Sequence, residues 1–143
     1  MKKTFKSVTC ALLSLALILC LASCGNSVDK TGIWANANYL NDTEFGNGKT
    51  TVQVEVKAEE HSVTFTINTD KATLGEALLE YELIAGEESQ YGLYVKAVNG
   101  ITADYDVDQS YWSFCKNGEY MMNGVDSTEI ADGEHYEFIY TKQ

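Results

Sequence analysis

TTVQVEVKAEEHSVTFTINTDKATLGEALLEYEL occupies residues 50–83, and its hydrophobic period changes partway along. From 51 to 57, Val52, Val54 and Val56 alternate with Gln53, Glu55 and Lys57. From 63 to 67, Val63, Phe65 and Ile67 alternate with Thr64 and Thr66. Strand side chains point to alternate faces, so each run has one apolar face. The polar connection Ala58–His61 joins the two runs as a hairpin with one buried side. The spacing then becomes Leu74, Ala77, Leu78, Tyr81, the i, i+3, i+4, i+7 stripe of a helix. Thr73 and Glu76 form a Thr-x-x-Glu capping box ahead of it. The pattern predicts a helix over 73–84 with Gly86 as its C-terminal stop.

Downstream the chain reads as strands again. Tyr91–Val98 leads into Asn99-Gly100, Ser110–Lys116 leads into Asn117-Gly118, Glu119–Met122 returns, and Tyr136–Tyr140 closes the chain. Asn-Gly between apolar runs marks a type I′ hairpin turn, which needs positive φ at both central residues. The sequence contains no proline, so no ladder is interrupted. Two strands, one helix and several further strands describe an α+β domain, a mixed sheet packed on one helix.

Upstream, Lys2, Lys3 and Lys6 precede the apolar run VTCALLSLALILCLA at 8–22. That run is shorter than the roughly 20 residues of a spanning helix and has the form of an export signal. Its end, Leu21-Ala22-Ser23-Cys24, resembles the bacterial lipobox, which implies a lipoprotein signal peptide over 1–23 and lipidation of Cys24. The expected product is extracytoplasmic and anchored to the bacterial cell membrane. Two or more acyl chains, at about 0.8 kcal/mol per buried CH2, hold such a protein stably. Residues 24–49 read as a lipidated tether and 50–143 as the domain. Ile33, Trp34, Tyr39, Leu40 and Phe45 are nevertheless too apolar for a pure spacer, so the first third of the segment is expected to be loose and the rest to lie against the domain. With Cys24 lipidated, Cys115 stands alone in the exported part, so the fold must rest on its core rather than on a disulfide.

After residue 24 there are seven lysines, no arginine and all 21 acidic residues, a balance of −14. Nucleic acid and phosphate ligands are disfavoured, because there is neither a basic patch nor a guanidinium fork. The two histidines, His61 and His135, have no recognisable nucleophile motif beside them, and the chain is read as a non-enzyme. Asp104, Asp106 and Asp108 open like a calcium loop. Gln109 then stands where glycine belongs and Cys115 where the bidentate glutamate belongs, so no metal site is assigned.

The hairpin YWSFCKNGEYMM at 111–122 is the candidate site. Trp112 and Phe114 share one face, expected to pack on Leu74, Leu78 and Tyr81. Tyr111, Ser113 and Cys115 share the other. One helix covers only one of these faces, so the second needs residues 33–45 or a partner.

The blocks TLGEALLEYELI, YGLYVKAVNGITADY and YWSFCKNGEYMMNGVDSTEIADGEHYEFIY are together similar to a family of bacterial surface domains. That family is related to the C-terminal β-domain of transcobalamin and intrinsic factor, the vitamin B12 carriers. The resemblance extends over about residues 34–141. It implies a β-grasp-like domain and a corrinoid such as cobalamin as ligand. By matching to the hairpin that faces the ligand in those carriers, it also implies ligand contacts from Tyr111, Trp112, Asn117, Tyr120, Met121 and Met122. The Asn117-Gly118 backbone would add donors. The helical domain of the B12 carriers is missing, which leaves two functions open. One is a micronutrient-binding module in uptake. The other is a protein-interaction module that docks on a transporter or surface partner without a small ligand.

Overall fold

A computed structural model describes residues 28–143; the signal peptide 1–23 and Cys24 lie outside the described residues. The elements are β1 (Thr43–Gly46), β2 (Thr50–Ala58), β3 (His61–Thr69), α1 (Leu74–Glu80), β4 (Ile84–Ser89), β5 (Gly92–Val98), β6 (Ile101–Thr102), α2 (Tyr105–Asp108), β7 (Ser110–Lys116), β8 (Glu119–Tyr120) and β9 (His135–Lys142). The domain is α+β and dominated by strands. It has two sheets rather than the single sheet expected: a six-stranded mixed sheet ordered β1-β3-β2-β9-β7-β8 and a three-stranded sheet β4-β5-β6.

The alternation read from 51–67 sets the larger sheet. Val52 lies opposite Ile67, Val54 opposite Phe65 and Val56 opposite Val63, so one face is apolar throughout. β9 runs parallel to β2 with Val54 beside Tyr136 and Val56 beside Phe138. β7 then adds Phe114 opposite Phe138 and Trp112 opposite Tyr140. These side chains form one core with Leu74, Ala77 and Leu78 of the helix.

The helix begins as the capping box predicts: the Thr73 hydroxyl accepts the Glu76 N–H, and the Glu76 carboxylate accepts the Thr73 N–H. Its end differs from the expectation. α1 stops at Glu80, and Glu82, at φ 53°, takes the left-handed position usually given to glycine. The Leu83 N–H donates to the Leu78 carbonyl and the Glu82 N–H to Leu79, the pairing of a Schellman motif. Both Leu78 and Leu83 are buried, and that contact supports the left-handed glutamate. Gly86 instead lies in β4, where a Cβ would stand 1.9 Å from the Tyr94 carbonyl. It serves the close approach of β4 to β5, beside a bulge between Ala85 and Gly86.

Residues 28–49, read as a tether, belong to the folded body. Trp34 is 1% exposed and its indole N–H donates to the Ala58 carbonyl across the core at 3.1 Å; Val28 is also buried. Tyr39 and Phe45 pack edge-on to Phe65. The segment is fastened by Asn99, a turn residue at φ 52° whose side chain is fully buried. The Asn99 Oδ1 accepts the Tyr39 N–H at 2.9 Å and its Nδ2 donates to the Tyr39 carbonyl at 2.8 Å. An amide side chain thus pairs with the segment as a second peptide group would.

Candidate functional site

Two strand edges stop short in this fold, and they face one another. β7 pairs with β8 only at Cys115 and Lys116, because after Tyr120 the chain turns away; its last rung is the Met121 N–H donating to the Phe114 carbonyl at 3.0 Å. β5 pairs with β6 only at Ala97 and Val98, leaving Leu93–Val95 without a strand on that side. The chain from Met121 to Val125 crosses between these edges. It is pinned at its far end by the Asp126 carboxylate, which accepts the Leu93 N–H at 3.0 Å. Gly92, at φ 98°, makes room for that carboxylate: a Cβ there would meet it at 2.4 Å.

The result is an open groove of about 480 Å³ between β5, the β7 edge and the 120–125 segment. Its lining includes Tyr111, Trp112, Tyr120, Met121 and Met122, so five of the six sequence-assigned ligand residues come together. None of the lining side chains is charged. Trp112 is 8% exposed, and its indole N–H donates to the Ile101 carbonyl at 3.2 Å, so it is floor and core at once. Tyr120 and Met122 are 74% and 96% exposed, the largest uncommitted apolar surface on the rim. Flat aromatic faces and thioethers give contact area to planar, polarizable or extended ligands with little directional demand.

Asn117 is the exception. It sits at the hairpin tip at φ 50°, and its N–H donates to the His135 carbonyl at 3.2 Å. The Gly118 N–H is taken by the Glu137 carboxylate at 2.6 Å. The type I′ turn is present as the Asn-Gly pair requires, but its donors are spent internally and lie outside the groove lining.

Trp112 and Phe114 share the core with Leu74, Leu78 and Tyr81, as expected from the sequence. They also face β5 and β9, where Phe114 stacks on Phe138 at 5.2 Å and Trp112 meets Tyr140 edge-on. The helix α1 packs in addition on β4 and on the 125–127 turn. Residues 33–45 cover the same inner face, not the outer one, where Tyr111 is flanked by Tyr105 of α2. The groove residues that sequence reasoning missed are chiefly Leu93, Tyr94 and Val95. Their period marked a strand, but no local pattern told that its edge would end opposite 111–114.

Several ionisable groups outside the groove are paired with one another. Glu137 accepts the Lys57 ammonium at 2.9 Å, which holds the carboxyl below its ordinary range and the ammonium above its own. Burial pushes the Cys115 thiol up, away from thiolate reactivity. His135 Nε2 lies 3.3 Å from Glu55 on the outer face. The three aspartates of the calcium-like run are dispersed: Asp104 caps α2 and meets Lys96, and Asp108 holds Ser110 and Lys142.

A family model described as a domain of unknown function, DUF4430, matches residues 71–142. Among solved structures, a protein of Ruminococcus gnavus ATCC 29149, provisionally named as metal binding, is 31% identical. It aligns over 66% of this chain and 99% of its own with a TM-score of 0.63. Haptocorrin, solved in complex with Cbi, is 20% identical at a TM-score of 0.56 over 68% of this chain; the match spans 26% of haptocorrin's length. No curated protein sequence matches. A family model over half the chain, supported by a like-folded relative along nearly its whole length, gives the assignment: the chain belongs to the DUF4430 domain family, and its fold is similar to part of haptocorrin.

Proposed function

We propose that this protein is a non-catalytic, extracytoplasmic ligand-binding module, held to the cell membrane through lipidated Cys24, whose ligand enters the groove between β5 and the β7–β8 hairpin. The observation that carries the reading is the uncharged aromatic and thioether lining, built where two strand edges stop short. The likeness to haptocorrin makes a corrinoid, cobalamin or cobinamide, the first ligand class to try. The likeness spans 26% of haptocorrin's length. The parallel β2–β9 pairing beside an antiparallel hairpin and one helix supports a β-grasp-like description of the domain.

The name of the R. gnavus relative raises metal binding. Among the described residues no group of three or more His, Cys, Asp or Glu side chains is placed to hold an ion, so no metal step is derived. Among the described residues no helix is long and apolar enough to cross a membrane. The exposure of Tyr120 and Met122 favours a second reading, docking on a transporter or surface protein without a small ligand.

The test is titration of the full chain in detergent micelles with cobinamide and cobalamin, followed by absorbance and calorimetry. Binding tighter than about 100 μM that weakens at least tenfold in Tyr120→Ala with unchanged folding upholds the corrinoid reading. No heat and no spectral change at that concentration removes it.

A further inference from the structure

The hydrogen-bond register of β7 identifies what the groove is built to pair with. In an antiparallel ladder, residues alternate between pointing both main-chain groups at one neighbour and pointing both at the other. The Phe114 carbonyl accepts from Met121, on the β8 side, so Phe114 turns its main-chain groups away from β9. Trp112, two residues earlier and opposite Tyr140 in the same ladder, does likewise. Beside Trp112 no strand follows, because β8 ends at Tyr120. The Trp112 N–H and carbonyl, with the Phe114 N–H, therefore form a short donor–acceptor row along the groove wall. No hydrogen bond among the described residues reaches this row from the groove side. Native folds usually cover, twist or charge such an edge. Here it is flanked by a second open edge at Leu93–Val95, where the Asp126 side chain occupies one main-chain donor.

We infer that the groove takes an extended peptide segment of a partner protein, which adds as a strand to the β7 edge. The inference rests on the groove being the binding site and goes beyond that reading in naming main-chain pairing as the mode of capture. An added strand would turn alternate side chains toward Trp112, Phe114 and Val125, which suits apolar residues at every second position. The intervening positions meet acidic surroundings. Asp126, which accepts the Leu93 N–H, and Glu119 are exposed and adjoin the lining residues Val125 and Tyr120 in the chain, and Glu88 stands opposite Leu93. Lys96 is bound to Glu87 and Asp104, and Lys116 to Glu134, so neither balances them. The complementary segment alternates lysine or arginine with valine-like residues.

The test uses the full chain in detergent micelles and the capped peptide Lys-Val-Lys-Val-Lys-Val as probe, read by amide hydrogen exchange. Two control peptides carry N-methyl groups on the three lysines or on the three valines, so that one or the other set of donors is blocked. Expected is a slowing of at least tenfold at the Trp112 and Phe114 amides with the parent peptide, weakened by salt. That slowing should be lost with one N-methyl set and kept with the other. Equal slowing with both methylated peptides, or none at 1 mM parent peptide, overturns the inference. So does edge protection that grows with protein concentration alone, which would assign the edge to a second copy of this chain. Cobinamide binding without peptide binding leaves the groove reading standing and removes this one. Peptide binding without cobinamide binding does the reverse to the corrinoid assignment.

Discussion

Replacing Trp34 by alanine tests whether residues 28–49 are part of the fold or a tether lying on it. The side chain is 1% exposed and donates to the Ala58 carbonyl. A buried tryptophan removes about 150–250 Å² from water, which at about 25 cal/mol per Å² comes to about 4–6 kcal/mol. The lost indole hydrogen bond adds about 1 kcal/mol, and partial collapse of the cavity offsets some of the loss. The expected cost is about 3–5 kcal/mol, a large part of the roughly 5–15 kcal/mol that holds a domain of this size. Trp34→Phe keeps most of the apolar contact and loses the donor, so it should cost about 1–2 kcal/mol. Urea unfolding followed by the fluorescence of Trp112, the remaining tryptophan, measures both variants against wild type. A loss under about 1 kcal/mol in Trp34→Ala, with the phenylalanine variant indistinguishable from it, would refute the assignment of this segment to the core.

Asn99→Ala removes both hydrogen bonds to the Tyr39 peptide and strains a left-handed position; it should cost about 2–4 kcal/mol in the same urea assay. Because Asn99 and Trp34 hold one segment, the double variant should lose less than the sum of the single losses. Glu137 has a folded pKa below its unfolded value, so its contribution is present above the ordinary carboxylate range and lost as pH falls through the folded value. Glu137→Gln should therefore lower stability by about 1–3 kcal/mol at pH 7 and flatten the acid limb of a stability–pH curve; an unchanged limb contradicts the Lys57 pairing. Gly92→Ala should push the Asp126 carboxylate off the Leu93 N–H, seen as faster exchange of that amide with the β7–β9 ladder intact.

Much of the fold is local information and was legible as such. The alternation at Val52–Val56 and Val63–Ile67, the Thr73–Glu76 box and the two Asn-Gly turns each specify a period or a turn that its own residues enforce. What failed depended on contacts distant in the chain. Glu82 ends the helix because Leu83 finds Leu78 under it, and Gly86 is required by a carbonyl of the next strand. Asn99 was legible as a turn residue, but not as the partner of a peptide group 60 positions earlier. The site divides in the same way. Tyr111, Trp112 and Tyr120–Met122, named through the family resemblance, share one groove because they lie on one hairpin, whereas Asn117, named the same way, lies outside it with the turn's donors taken by Glu137 and His135. Leu93–Val95 entered the groove through sheet topology, which no periodicity encodes.

With an anchor at Cys24, the burial of Val28 would leave three residues, or four Cα-to-Cα steps, between it and the folded body. At roughly 3.6 Å per residue that stretch spans at most about 14 Å, where a tether running to residue 49 would have reached about 80 Å. Under the proposed lipid anchor, such a domain would stay against the bilayer rather than roam above it. Its surplus of 21 acidic residues over seven lysines would sit within one or two screening lengths of an anionic headgroup layer, about 8 Å each at physiological salt. Repulsion at that range would turn the less acidic side of the body downward. The proposed anchor would then set which way the groove faces as well as where it resides, and a partner in the same membrane would meet it already oriented.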